Sequence, residues 1–543
     1  MALRLSVLSL SMALLAVAAG CNVEPLAGPP APPPSQRLRR VEPANLQAAT
    51  TRPAVTVEQA SQEMSAEVSA RQDLPSVTLD IASARASALE ANFQLEARRV
   101  EPAIAAQDIR VENAAFDPSF RTLASFDRKG EGGSGDYDYL LEPGLTFPLR
   151  TGGTLGAGVG ADWDQSSDDS SGLAANFSFS QPLLRGAGVK VNTAGIRIAG
   201  LNWEIVSART KLRVIQTLAD VDRTYWSLYA AWQELRVAQQ QYELALVQIE
   251  QARKRVAAGA SPRIEIIRSE SGLAVRLQGI IIARTQVRLR QRELKRLMNR
   301  PDLPVDSATQ VLTDSPPDPV GLSLDAPRLV RQALDQRMEL VVLELELAID
   351  REVIAQRRNA LLPGLDLQTV YSRHGGAGGL AGAMERLDNR AEDDALVSLE
   401  LDVPLGNERA QAQLRRSRLE RLGRLIDQKD TEQAIRQDVY DALDRFDENW
   451  RQIVVARRGV VVAAENYRAE QQQFGLGLRT SIDVLDAAAR LAEAQVSEIR
   501  AIADYEIAKV DLAVATGTLL GQDGVSWQTQ DLGDDRGTGG MSR

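Results

Sequence analysis

The sequence has almost none of the residues from which metal and nucleophile sites are usually built. Its 543 residues hold one cysteine, Cys21, and one histidine, His374. A lone cysteine excludes an internal disulfide. Without a second histidine or a cysteine cluster there is no zinc pattern. Aromatic residues make up only 4%. Together with abundant Ala, Leu, Arg and Glu, that scarcity points to long helices rather than an aromatic-rich globular core. Beyond the N-terminus no apolar run approaches the roughly 20 residues of a membrane-spanning helix. The net charge of −10 argues against nucleic acid as a partner. There is no phosphate-cradling glycine loop, nucleophile elbow or paired-carboxylate motif, and Gly152-Gly153 reads as a hairpin turn. His374 sits in a Gly-rich strand-end stretch, a poor setting for catalysis. The chain therefore reads as a non-enzyme with no cofactor.

What is present begins with an export signal. Arg4 precedes an apolar run from Leu5 to Val17, followed by Ala18-Ala19-Gly20-Cys21. This resembles a bacterial lipoprotein signal, which makes residues 1–20 the removed peptide and Cys21 the acylated first residue. Ala18 departs from the leucine usual in that pattern. Asn22 is not the residue that signals inner-membrane retention among lipoproteins. Residues 21–75 read as a spacer, extended through the proline-rich Pro25–Pro34. One acyl chain gives only marginal membrane affinity, so stable residence has to come from elsewhere in the chain.

The stretch Phe474-Gly475-Leu476-Gly477-Leu478-Arg479-Thr480-Ser481-Ile482-Asp483-Val484-Leu485-Asp486 lies between two helical patterns and reads as a hairpin tip. Gly477 supplies the positive φ that ends the first helix. Ser481 is the expected N-cap of the second. Asp483 and Asp486 fall in its first turns, where the helix dipole favours negative charge. A near copy precedes it: Gly259-Ala260-Ser261-Pro262-Arg263-Ile264-Glu265-Ile266. Other matches share one constant offset: Leu79-Asp80 with Leu324-Asp325, Ala88-Leu89 with Ala333-Leu334, Pro118 with Pro363. The chain is thus a duplicated unit. Residues 76–300 form the first repeat, 301–323 a Pro- and Asp-rich linker, 324–520 the second repeat, and 521–543 a Gly- and Asp-rich tail.

Each repeat reads helix, strand pair, long helix, tip, return helix. The first helix is expected from Leu79 to about Ala115. The strand expectations rest on period-two alternation. Phe120, Thr122, Ala124 and Phe126 form one face; Leu173, Ala175, Phe177 and Phe179 another. In the second repeat Leu365, Leu367, Thr369 and Tyr371 alternate with polar residues, as do Val397, Leu399, Leu401 and Val403. Leu145 to Trp163 reads as a further hairpin. The long helices show heptad seams: Val214, Leu218, Val221, Tyr225, Leu228, Trp232 and Leu235, resumed at Tyr242, Leu246 and Ile249, and Val439, Leu443, Phe446, Trp450 and Ile453.

Two half-apolar strands per repeat cannot stand alone as a sheet. Strands from several chains closing into a barrel leave no edge unsatisfied. Apolar-out, polar-in alternation is that of a membrane barrel with a wet lumen. Helices about 100 Å long are too long to fold onto a compact core. Their seams require neighbouring helices, so a helical tube continuing the barrel satisfies both patterns.

Over residues 76–520 the sequence resembles the TolC-like outer-membrane efflux proteins, of the acyl-anchored subset. The resemblance lies in Ser180-Gln181-Pro182-Leu183-Leu184-Arg185-Gly186, in Val403-Pro404-Leu405-Gly406-Asn407, and most specifically in the tip Phe474 to Asp486. It implies a mainly α fold with a membrane β-barrel: a homotrimer of four strands per subunit in a twelve-stranded barrel, continued by a long periplasmic α-helical barrel. It implies a passive exit duct for efflux or type I secretion, working with a periplasmic adaptor and an inner-membrane pump and seated in outer-membrane lipid. On that likeness Asp483 and Asp486 ring a pore constriction. Arg479 latches the tip, with Arg263, Arg268 and Glu265 facing it from the first tip, while Gly259 and Gly477 make the turns. Phe474 replaces a tyrosine common in the family and offers no side-chain hydrogen bond. The Leu145–Trp163 hairpin departs from the four-strand plan and is expected in an enlarged extracellular loop, with additional barrel strands as the alternative. The rival reading is a periplasmic coiled-coil adaptor or structural envelope lipoprotein, though adaptors carry one hairpin and this chain carries two.

Overall fold

A computed structural model describes residues 75–129, 136–164, 172–375 and 392–522. The signal and spacer segments with Cys21, and the tail expected from residue 521 (all but 521–522), lie outside the described residues. The described chain runs β1 (Ser76–Leu79), α1 (Ile81–Ala91), α2 (Phe93–Ala114), β2 (Ser119–Lys129), β3 (Asp136–Pro148), β4 (Thr154–Asp164), β5 (Gly172–Pro182), α3 (Val189–Asn192), α4 (Ala194–Ala257) and α5 (Ile264–Met298). After β6 (Gln310–Thr313) come α6 (Ala326–Gln336), α7 (Met338–Asn359), β7 (Gly364–His374), β8 (Glu392–Asp402), α8 (Glu408–Gly475), α9 (Ser481–Ala515) and α10 (Leu519–Gln522).

The duplication is visible in element lengths. The first repeat's 11-residue helix, 22-residue helix and 11-residue strand (α1, α2, β2) recur as α6, α7 and β7. Both return helices, α5 and α9, have 35 residues. The helix expected from Leu79 to Ala115 is two helices. Leu79 ends β1, and Asp80 caps α1 through the Ser83 amide. The chain then breaks at Asn92, whose side chain caps α2 at the Leu95 amide (3.0 Å) and donates to the Leu297 carbonyl (2.8 Å). An asparagine whose side chain satisfies backbone groups on both sides competes with helix continuation.

The α4 seam is buried as expected from Val214 through Leu235, with Trp232 half-buried. Beyond it the seam drifts. Leu246 is 39% exposed while Ala245, Gln248 and Ile249 are buried. A straight α-helix slips about 20° per heptad against a 3.5-residue repeat, so a 64-residue helix changes the face it presents. In α8 the seam holds through Val439, Phe446 and Ile453. Apolar burial is accordingly spread in narrow clusters, such as Leu95 with Val214, Leu218 and Leu519, and Phe446 with Ile453, Tyr505 and Ala508.

The expected linker 301–323 is tied down as a belt. Its β6 pairs in parallel with β1. The Tyr225 hydroxyl donates to the Leu79 carbonyl (2.9 Å) and accepts from the Asp314 and Ser315 amides. Trp232 Nε1 donates to the Val311 carbonyl (2.8 Å), and the Tyr505 hydroxyl donates to Val320. Buried Lys295 donates to the Ser307 carbonyl, the Ser307 hydroxyl and the Thr309 carbonyl at 2.8–2.9 Å.

The larger sheet is antiparallel and six-stranded, in the order β2-β3-β4-β5-β7-β8. The Leu145–Trp163 hairpin is therefore two strands of this sheet, and the extracellular-loop expectation is corrected. Among the described residues the sheet holds six strands, against the four expected per subunit. Period-two alternation held on both sides of the Gly152-Gly153 turn, which is the signal that a loop placement set aside. The pairing register carries an apolar row across all six strands: Phe120, Leu145, Ala157, Phe177, Tyr371, Ala395. The adjoining row on the opposite face is Arg121, Gly144, Gly158, Asn176, Ser372, Asp394. The apolar face is bare in the single chain: Val397 is 69% and Leu399 63% exposed. No described helix is long and apolar enough to cross a membrane.

Candidate pore gate at the hairpin tips

Both tips are built by the same backbone device. In the first, the Gly259 amide donates to Val256 and the Ala260 amide to Arg255. In the second, Gly477 donates to Phe474 and Leu478 to Gln473. This paired closure is the Schellman motif. It needs a left-handed residue, which Gly259 (φ 71°) and Gly477 (φ 78°) supply.

The start of α9 differs from expectation by one residue. Thr480 is the N-cap, and Asp483 completes a capping box, accepting from the Thr480 amide (2.9 Å) and hydroxyl (2.8 Å). The Thr480 backbone bond, then its hydroxyl, hold the Asp483 carboxyl below its ordinary pKa. Ser481, the residue expected to cap, is buried and turned sideways: its hydroxyl donates to the Glu265 carboxylate of the first tip. Thr480 precedes a better-placed acid at the third helical position, and that spacing was the legible signal for the cap.

Two links join the tips. One is Ser481 to Glu265, whose carboxylate also holds Arg268 at 2.9 Å. The other is Arg255 to Phe474. The Arg255 guanidinium lies 3.9 Å from the ring centroid and donates to the Phe474 carbonyl at 3.1 Å. Arg255 was not singled out in the sequence. It looks like an ordinary basic residue in a last helical turn, and nothing local shows which aromatic it covers.

The remaining charges lie apart. Within one chain Arg479 is held by its own hairpin, 3.2 Å from Glu470 and 3.0 Å from Gln473. Arg263 is exposed, and among the described residues it forms no ion pair. Asp486 is exposed on α9. Its charge acts on Arg276 of α5, which burial pulls below its ordinary pKa and Asp486 pulls back. Arg276 also reaches the Leu485 carbonyl at 3.5 Å. Where α5 and α9 pass, Gly272 leaves room for Leu485, whose Cδ1 would lie 3.2 Å from an added Cβ. His374, at the end of β7, stands 3.4 Å from Asp394.

A sheet with one bare apolar face, leading directly into helices of 64 and 68 residues that end in two linked hairpin tips, defines a membrane channel with a helical extension. The family profile for outer membrane efflux proteins matches residues 84–300 and 329–518. The chain belongs to that family and is an outer-membrane efflux channel, not an enzyme. It is similar to the outer membrane protein TolC of Escherichia coli K12, 22% identical over 382 residues, which span 67% of this chain and 75% of that protein. The fold is similar to that of the Campylobacter jejuni CmeC outer membrane channel (TM-score 0.63, 14% identity, 81% of this chain and 86% of that one). It is also similar to that of the open-state Neisseria gonorrhoeae MtrE outer membrane channel (TM-score 0.58, 17% identity, 83% and 94%).

Proposed function

We propose that three copies of this chain form the duct, seated in outer-membrane lipid, anchored through an acylated Cys21 and closed at its periplasmic end by the hairpin tips. The observation that carries the reading is the sheet: its two outer strands, β2 and β8, have free edges, and one whole face is apolar. In lipid an open edge leaves several unsatisfied backbone groups, each costing about several kcal/mol, so the sheet has to close on copies of itself. A periplasmic adaptor and an inner-membrane pump then supply the opening force and the cargo at the tips. Around the threefold axis Asp483 and Asp486 gather into a cation-attracting ring. Arg479, Arg263, Arg268 and Glu265 form the reversible charge set of the closed state. Exposed pairs are worth about 0–1 kcal/mol each, which suits a gate that must reopen.

Fractionation of cells making the full chain tests this. Heat-modifiable trimers in the outer membrane, and labelling of Cys21 by a palmitate analogue, are the expected results. A monomer in the soluble or inner-membrane fraction would overturn the duct reading. An unlabelled trimer would remove the anchor alone.

A further inference from the structure

We infer that the β3–β4 hairpin is a full segment of the membrane wall, so that three copies of the six-stranded sheet close an eighteen-stranded barrel in place of a twelve-stranded one. The inference rests on the homotrimer reading and adds to it the width of the outlet.

The hairpin sits inside the sheet, not beside it. β3 pairs with β2 along all eleven β2 residues, and β4 pairs with β5 from Thr154–Ser180 to Asp162–Gly172. β2 and β5 have no pairing with each other, so removing the hairpin from the wall would break two ladders. β3 has 13 residues and β4 has 11, matching their neighbours and the 9–11 residues that a tilted strand needs to span a bilayer. The hairpin also reaches the full depth of the wall. Its turn is fastened at the helix end, where the Gly188 amide donates to the Thr151 carbonyl (2.9 Å) and the Thr151 hydroxyl to Gln181 (2.7 Å). Gly152 takes φ 94° there, against the Gly186 carbonyl.

The two faces of the hairpin continue those of the sheet. Leu145, Leu155 and Val159 are exposed on the apolar side. On the polar side the hairpin presents Gly144, Gly156 and Gly158, with Gly144 opposite Gly158. An added Cβ on Gly158 would stand 3.2 Å from the Pro143 carbonyl oxygen and 3.4 Å from the Gly144 Cα. Glycine here lets the strands curve and puts no side chain into the lumen.

The edges fit each other as well. An even number of antiparallel strands leaves β2 and β8 running in opposite directions, so β8 of one copy meets β2 of the next antiparallel. The joint between the two repeats, β5 on β7, supplies a register. Carried over to the equal-length β8 and β2, it sets Leu399 opposite Ala124 on the apolar face and Asp402 opposite Arg121 on the polar face. Barrel diameter grows roughly linearly with strand number, so the ring is about one and a half times as wide as a twelve-stranded one. Size selection then falls to the helical tip and not to the barrel.

Electron cryo-microscopy of the detergent-purified full-length channel counts the strands directly. Eighteen in the barrel section is the expected result. Twelve, with residues 136–164 outside the wall, would overturn the inference and leave the trimer standing. A barrel closed by other than three copies would overturn the homotrimer reading itself. In intact cells, Ala124→Cys with Leu399→Cys should link neighbouring chains into covalent oligomers. Ala157→Cys with Phe177→Cys should lose both free thiols inside one chain. Linked oligomers with free thiols in the second variant would indicate a hairpin outside the wall and count against the inference.

Discussion

The guanidinium of Arg255, in the last turn of α4, covers the ring of Phe474 in the last turn of α8 at 3.9 Å. Each residue also belongs to the backbone closure of its own tip: the Arg255 carbonyl accepts from Ala260 and the Phe474 carbonyl from Gly477. The contact therefore couples the two turns through groups that shape them. Phe474 takes part through its ring face and its main-chain carbonyl, with no side-chain hydrogen bond.

Arg255→Ala should loosen the closed tip. A cation–π contact of this kind is worth about 0.5–2 kcal/mol, so the open fraction rises by about 2- to 30-fold. Single-channel conductance in planar bilayers reads this directly, with Arg458→Ala, an exposed arginine of α8 outside both tips, as the control. Equal conductance in Arg255→Ala and the unaltered channel would show that the contact does not hold the gate.

The two tip aspartates should separate. Asp483 caps its helix, whereas Asp486 is exposed and has no role in the cap. Asp486→Ala is expected to weaken block by multivalent cations while leaving thermal stability within about 0.5 kcal/mol. Asp483→Ala is expected to weaken block and also to loosen the start of α9, seen as a lower Tm than that of Asp486→Ala. If cation block survives in the double variant, the carboxylate ring has no place in the gate.

The Asp483 cap also has a defined acid limit. Its carboxyl is depressed in the folded chain from an ordinary 3.8. Its stabilisation is therefore fully present above pH 3.8 and is lost as pH falls through the lower folded value. Helical Cα chemical shifts at residues 481–484 should hold down to about pH 3.8 and move toward coil values below it. In Asp483→Asn that acid step should be missing. A step at the same pH in the asparagine variant would assign it to another group.

The legible and illegible parts of the chain divide along the range of the interactions. Heptad spacing from Val214 to Leu235, the glycines of both tips and the alternation of every barrel strand are local patterns, and the sequence carries them plainly. The break at Asn92 was harder, because its second partner is the Leu297 carbonyl, 205 residues away. Arg255 and Phe474 are 219 residues apart, and no periodicity links them. The β3–β4 hairpin was legible as strands, but its place was left between a loop and added sheet strands, since membership of a sheet is set by its neighbours and not by its own pattern. Lys295 was illegible even at short range: its partners lie only 12 and 14 residues on, and a lysine in the charged run Arg292-Glu293-Leu294-Lys295-Arg296 gives no hint of burial.

That lysine supports a last prediction. Lys295 is 2% exposed and spends its three donors on Ser307 and Thr309. Burial pulls its pKa down, an effect that Arg292 adds to and Asp306 opposes. Lys295→Met keeps most of the apolar stem and removes the donors. The half-buried Ser307 and Thr309 carbonyls then lose their charged donor. Because β6 follows directly and pairs with β1, loss of this anchor should free the belt before the long helices melt. Limited proteolysis should cut within residues 301–323 in Lys295→Met while the unaltered protein resists, and Tm should fall. Identical cleavage patterns and equal Tm in the two proteins would mean that Tyr225, Trp232 and Tyr505 hold the belt without it.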